Sequence, residues 1–230
     1  YKYTLMYKII LLVVVIIIII IISALVIYNL SQTTKLAYAN INDPYDKPFV
    51  LENVLTPEQC REIINHATAK LFESEVVGGK DKNVRNSMQC WIPKSDPVVK
   101  HIFDKMSQRF NIPFENAEEL QVVRYLPDQY YNEHHDACCD DNAECKEFIK
   151  RGGQRKLTVL IYLNDNFEEG NTYFKNLDLK MKAKPGDAIA FFPLAKNSNY
   201  CHPLALHAGM PVKSGEKWVC NVWFRENKFI

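Results

Sequence analysis

The sequence predicts an α+β domain, with helices buttressing an all-β core, behind one apolar segment of membrane-spanning length. Three observations predict it: an uncharged apolar run from Ile9 to Tyr28, two helix-start signals in the first half, and a succession of short β-rich runs after Glu119. Helices followed by strands are the pattern of segregated layers rather than of alternating βαβ units. At 230 residues, 47% hydrophobic and 24% charged, the chain has room for one catalytic-sized domain. A formal net charge of +1 lacks the basic excess that phosphate binding shows, so no nucleic-acid partner is expected. The partners expected are small molecules or a neutral polypeptide.

The run from Ile9 to Tyr28 is interrupted only by Ser23 and has no polar face, unlike a soluble amphipathic helix. At about 1.5 Å per residue its length matches a bilayer core of about 30 Å. Ala37-Tyr38-Ala39 resembles a small-x-small cleavage site, but it lies well beyond a run already too long for a secretory h-region. The reading is an uncleaved anchor over residues 1–28, a polar linker over 29–48 and a catalytic domain over 49–230. Lys2 and Lys8 precede the span and Lys35 follows it, which places the N-terminus in the cytoplasm and the domain in the lumen of the endoplasmic reticulum or Golgi. In that compartment some of the seven cysteines are expected in disulfides, with at least one left over. The clustered Cys138, Cys139 and Cys145 lack the paired C-x-x-C spacing of a zinc site.

Thr56-Pro57-Glu58-Gln59 combines an N-cap, a first-turn proline and a capping-box glutamine ahead of Cys60, Ile63, Ile64 and Ala67. Asp96-Pro97 starts a second helix through Val98, Ile102, Phe103 and Met106. The strands expected are Leu120–Tyr125, Lys156–Leu163, Leu179–Ala183, Ala188–Phe192 and Lys217–Phe224, with Lys184-Pro185-Gly186-Asp187 as a turn.

His134 and Asp136 stand two residues apart, so on an extended segment both leave the same face and can share a divalent metal. With six histidines and 27 acidic residues, about 0.7 such pairs are expected by chance, so the pair alone is weak. Further along, His207 offers a third ligand, and Lys217, ten residues later, offers a cation for a dicarboxylate. On a strand, Lys217 shares its face with Val219, Asn221 and Trp223.

The segment Arg124-Tyr125-Leu126-Pro127-Asp128-Gln129-Tyr130-Tyr131 leading to His134 and Asp136, then Gly152-Gly153-Gln154-Arg155, Tyr162-Leu163-Asn164-Asp165, Thr172-Tyr173-Phe174 and His207 through Trp218, resembles the prolyl 4-hydroxylase family. The form it resembles is the small single-domain type of plants, algae and large DNA viruses. The resemblance implies a double-stranded β-helix, or jelly roll, using Fe(II), 2-oxoglutarate and O2, with L-ascorbate keeping the iron reduced. It implies a proline-rich or collagen-like peptide substrate, hydroxylated at C4 of proline as 2-oxoglutarate is decarboxylated to succinate. It makes His134, Asp136 and His207 the iron ligands, and Lys217 the partner of the far carboxylate of 2-oxoglutarate. Tyr125 and Thr172 match positions that hold that co-substrate, and Arg155 and Trp223 match positions beside the peptide groove.

Two departures stand out: Glu169-Gly170-Asn171-Thr172 replaces the usual Gly-Gly-Glu-Thr, and the segment from Asp136 to Arg155 is longer and carries the cysteine cluster. The plainer readings are core packing for Tyr125 and Trp223, a solvated strand edge for Arg155, and surface, loop or helix packing for His135, His202, His66 and His101. Two other functions remain open: the same chemistry on lysine or a small molecule, and a catalytically silent jelly-roll binding module.

Overall fold

The computed structural model describes residues 11–23, 38–76, 79 and 81–230 of the chain. It divides into two units, Tyr1–Leu36 and Ala37–Ile230. In the first, residues 11–23 form helix α1, exposed along its described length, with the Ser23 hydroxyl donating to the Ile19 carbonyl at 2.8 Å. The remainder of the expected span, residues 9–10 and 24–28, lies outside the described residues. Among the described residues no helix is long and apolar enough to cross a membrane.

The second unit begins within the expected linker. Residues 38–46 are hydrogen-bonded to the domain: Ala39 N–H donates to the Cys201 carbonyl at 2.9 Å, and Lys196 N–H to Pro44 at 2.9 Å. Tyr45 stacks on His202 at 4.3 Å. His202, expected as an ordinary loop residue, is fully buried and accepts from Leu204 N–H.

Both predicted helices start where their caps place them. In α2 (Pro57–Thr68) the Thr56 hydroxyl accepts from Gln59 N–H at 3.2 Å while the Gln59 side chain accepts from Thr56 N–H at 2.8 Å, which satisfies two otherwise orphaned donors. In α3 (Pro97–Phe110) the Asp96 carboxylate accepts from Val98 N–H, and Asn111 ends the helix in the left-handed conformation. A shorter helix that the sequence reading did not anticipate, α4 (Ala143–Lys150), is capped by Asn142 and lies within the long segment after Asp136.

The strands are β1 (Phe49–Leu51), β2 (Phe72–Glu73), β3 (Met88–Ile92), β4 (Leu120–Tyr125), β5 (Tyr131–His134), β6 (Arg155–Tyr162), β7 (Phe167–Glu169), β8 (Thr172–Phe174), β9 (Leu179–Met181), β10 (Ala188–Phe191), β11 (His207–Gly209), β12 (Val212–Gly215) and β13 (Lys217–Arg225). Seven form one antiparallel sheet in the order β1-β10-β6-β13-β4-β3-β2, and four form another in the order β5-β11-β8-β9. The two sheets and their flanking helices are consistent with a jelly roll. The predicted turn before β10 depends on Gly186, at φ +85°, where a Cβ would collide with the Leu55 carbonyl.

Two cores follow from the alternation of β13. Trp218, Cys220, Val222 and Phe224 pack with Ile63 and Ala67 of α2 and Val99, Ile102, Phe103 and Met106 of α3. The opposite face joins a second cluster, in which Val219, Val123, Leu160 and Ile189 of the large sheet meet Phe174 and Val212. That second face opens into the cleft described next.

Candidate active site

A cleft of about 1180 Å³ is lined by every sequence-predicted site residue: Tyr125, His134, Asp136, Arg155, Thr172, His207, Lys217 and Trp223. At its centre the ligand atoms of His134, Asp136 and His207 all lie within 4.8 Å of one another. His134 ends β5 and His207 opens β11, and the two are register partners in an antiparallel pair. Asp136 differs from the expectation: the strand stops at His134, and the carboxylate reaches the site from the bend that follows rather than by strand alternation.

The triad has the donor chemistry for a divalent cation. The Nδ1 of His134 faces the Asn132 carbonyl at 2.7 Å and that of His207 faces the Ala205 carbonyl at 3.0 Å, so Nδ1 carries the proton and Nε2 presents its lone pair. Those Nε2 atoms lie 3.8 Å and 4.0 Å from oxygens of Asp136. Ligands about 2.1 Å from one cation sit roughly 3–4 Å apart, so the three atoms need little adjustment to share one. Burial, and then His207, push His134 well below the usual imidazole range, which keeps it neutral and able to ligate. Burial opposes ionisation of Asp136, but His207, Arg155, His134 and a Thr158 hydrogen bond outweigh it, so the carboxylate stays charged.

Asp136 is oriented from the large sheet. Thr158 Oγ1 donates to its Oδ2 at 2.7 Å and Trp223 Nε1–H donates to the same oxygen at 3.1 Å. Trp223, expected as a wall of the peptide groove, is therefore also a support of a candidate metal ligand. Its position two strand residues from Asn221 on the Lys217 face puts it there.

At the inner end of the cleft Lys217 is 2% exposed. Its Nζ donates to the Gly170 carbonyl at 2.7 Å and lies 5.2 Å from the ring centres of Tyr125 and Tyr162. Gly170 occupies φ +63°, and a Cβ there would crowd Lys217 Cδ at 3.3 Å, which explains why glycine survives in the altered Glu169-Gly170-Asn171-Thr172 loop. No carboxylate pairs with Lys217 among the described residues. Burial, followed by the charge of Lys182, lowers its pKa to about 7. Thr172 Oγ1, within this pocket, shares a 2.9 Å hydrogen bond with the Tyr162 hydroxyl. A small dianion would supply the charge the ammonium lacks.

On the outer side, Arg155 is not a solvated edge charge. It forms a bidentate pair with Glu118, at 2.6 Å and 2.8 Å, and its guanidinium covers the Trp223 ring at 3.6 Å. Glu118 also accepts from Arg225 at 2.7 Å. Glu118, Trp91 and Arg85 line the same cleft with no motif to mark them, and Tyr131, the last residue of the quoted Arg124–Tyr131 motif, lines it too. Trp91 lies 6.0 Å from Trp223 while 38% exposed, and Tyr131 stacks on His134 at 3.5 Å beneath Arg85. The alternation of β3 marks Trp91 as facing opposite to its buried neighbours Cys90 and Ile92, but strand contents alone do not say which cleft it faces.

Four cysteines form two disulfides, Cys138–Cys145 and Cys139–Cys201, and Cys60, Cys90 and Cys220 are free and buried. His135 lies near Cys139 and Cys201, but sulfurs joined to each other are not available as thiolate ligands.

Residues 120–225 match the model of the 2OG-Fe(II) oxygenase superfamily. A protein of Acanthamoeba polyphaga mimivirus named "Putative prolyl 4-hydroxylase" is 64% identical over 84% of this chain and 80% of its own length. Prolyl 4-hydroxylase 1 of Arabidopsis thaliana is 33% identical over 77% of this chain and 68% of its own. The crystal structure of the viral collagen prolyl hydroxylase from Paramecium Bursaria Chlorella virus-1, in its 2OG complex, matches with a TM-score of 0.61 and 32% identity, covering 77% of this chain and 95% of that one. With the triad and the buried lysine in one cleft, and relatives of this identity along most of the domain, the chain belongs to the prolyl 4-hydroxylase family of 2OG-Fe(II) oxygenases.

Proposed function

We propose that the protein hydroxylates peptidyl proline at C4 while 2-oxoglutarate is decarboxylated to succinate. The observation that carries this reading is a metal-competent His134–Asp136–His207 triad in the same cleft as a buried Lys217 without a carboxylate partner. When bound, Fe(II) supplies the activation of O2 at the expense of 2-oxoglutarate. The residues do the positioning. His134 and His207 offer Nε2 and Asp136 a carboxylate oxygen, and Thr158 and Trp223 hold that carboxylate in place. Lys217 takes the far carboxylate of 2-oxoglutarate, with the Thr172 and Tyr125 hydroxyls beside it. The apolar shell of Leu160, Phe191 and Val219 excludes water from the enclosed end.

The peptide lies in the open part of the cleft, past Trp91, Arg155 and Trp223. An extended polyproline II segment suits it, because that form is already ordered and its rings can lie on aromatic walls. L-ascorbate is the reductant that keeps the iron active. The apolar run of residues 9–28 serves as the anchor, and the two disulfides support a lumenal catalytic domain. Protease should then spare the domain in sealed microsomes and digest it only after detergent.

Succinate release and mass detection of one added oxygen, measured on proline-rich peptides and on matched peptides carrying alanine or lysine in place of proline, test the activity. Oxygen is expected on proline alone. Turnover with the lysine peptides in preference to proline would replace the reading with the related lysyl chemistry.

A further inference from the structure

The triad is assembled from two chain segments, and outside it those segments are joined covalently. His134 and Asp136 belong to β5 and the bend after it, whereas His207 begins β11. The ladder between them is brief: the register pairs are His207 with His134 and Gly209 with Tyr131, with an irregularity between. Three residues beyond Asp136, Cys139 is bonded to Cys201, six residues before His207. Cys201 is fully buried and belongs to a fixed part of the shell, bridged to Leu194 on one side and to Tyr38 on the other. Among the described residues, no hydrogen bond joins residues 135–141 to residues 194–206. The crosslink is their covalent tie, with Ala137 and Leu194 packed around it.

The side-chain bonds to Asp136 do not replace it. Thr158 and Trp223 both act on Oδ2, and Arg155 reaches the Asp136 carbonyl at 3.4 Å and Oδ1 at 3.9 Å, but all three come from the large sheet rather than from the His207 segment. The second disulfide has a different reach. Cys138–Cys145 spans seven residues and ties α4 to its own loop, without crossing to the other ligand-bearing segment. Adjacent residues of one loop therefore hold two crosslinks, of which one reaches the segment that carries His207.

We propose that the Cys139–Cys201 disulfide is a positioning crosslink for the metal triad: it keeps the Asp136 bend in register with His207, and opening it weakens divalent-cation binding while the fold persists. This rests on the triad being the cation site. Ligand sets tolerate only about 0.5 Å of misplacement, and loss of supporting contacts around ligands typically weakens metal binding by about 10- to 100-fold.

The test compares two paired variants, Cys139→Ser with Cys201→Ser and Cys138→Ser with Cys145→Ser, titrated with Co(II), whose absorption reports both affinity and ligand geometry without oxygen chemistry. The first pair should bind about tenfold or more weakly and show an altered band at saturation, and the second should stay within about twofold of the parent. Parent-like affinity in the first pair, or equal losses in both, overturns the proposal. A parent protein that fails to bind Co(II), or His207→Ala binding it normally, overturns the triad reading and this inference with it. If the first pair does not fold, the parent is treated with graded dithiothreitol, which closes to its cyclic disulfide as each protein disulfide becomes two thiols. Excess reductant is then removed and the new thiols are alkylated, which identifies the opened bond and keeps Cys139 and Cys201 from binding cobalt beside His135, and circular dichroism reports the fold. Affinity should fall as Cys139–Cys201 opens, and unchanged affinity with that bond open overturns the proposal.

Discussion

The two faces of β13 do different work although they alternate residue by residue along one strand. Trp218, Cys220, Val222 and Phe224 are buried against helices α2 and α3 in a wholly apolar cluster. Lys217, Asn221 and Trp223 face the cleft and spend their polar atoms on a carbonyl, another amide and a carboxylate. The helix-covered face gains from area removed from water. The cleft face holds a buried amine with no counter-charge among the described residues, a cost that loss of its proton or a bound dianion offsets. Stability and function are thus segregated by strand parity, and substitutions on the two faces should fail in different assays.

The strongest way to break this contrast is to remove a ligand. His207→Ala should abolish peptide-dependent succinate release with the thermal transition retained, and activity in that variant would place the third ligand elsewhere. Next, Phe103→Ala on the helix side should cost about 3–5 kcal/mol in urea unfolding by emptying the apolar core. Its folded fraction should bind Co(II) like the parent. A metal-binding defect there would show that the faces are coupled.

Lys217→Ala should leave Co(II) affinity nearly unchanged and weaken 2-oxoglutarate by about 10- to 150-fold, the equivalent of one lost charge-assisted contact of about 1.5–3 kcal/mol. Lys217→Arg should also be poor, because a planar fork does not replace a compact ammonium in an enclosed pocket. The same residue sets a pH signature. With its pKa lowered to about 7 in the ligand-free site, the amine is neutral above that pH. A bound dianion favours the protonated form and raises the pKa, so binding takes up a proton. The dissociation constant should therefore rise with pH above about 7, by at most tenfold per unit, and calorimetry in buffers of different ionisation enthalpy should detect the proton. In Lys217→Ala that dependence should vanish.

The smallest effect is expected for Trp223→Phe, which keeps a ring under Arg155 but removes the N–H donated to Asp136. Co(II) affinity should fall by about tenfold with the peptide KM less affected. A change confined to peptide KM would make Trp223 only a groove wall.

Local signals made much of the fold legible. Thr56 and Gln59 announced α2, Asp96 and Pro97 announced α3, and β-rich composition located β4 and β10 almost to the residue. Helix α4 escaped because eight largely polar residues carry little periodicity, although Asn142 is a usable N-cap signal. The candidate site was legible through its motifs and their order, and the structure gathers His134, His207 and Lys217 in one cleft. Glu118 and Arg85 were not, since a lone charge outside a motif looks the same whether it solvates a surface or lines a cleft.

By itself the sequence determined the helix starts, the parity of β13 and the chemical types gathered at the site, because capping, alternation and ligand chemistry act over a few residues. Only the tertiary structure decided how Asp136 reaches the candidate ligand cluster, which cysteines pair, and that Arg155 is held by Glu118. Those outcomes depend on contacts such as Cys139 with Cys201, 62 residues apart, and Asp136 with Trp223, 87 apart. At such separations the meeting is fixed by sheet order and register, and no local propensity encodes it.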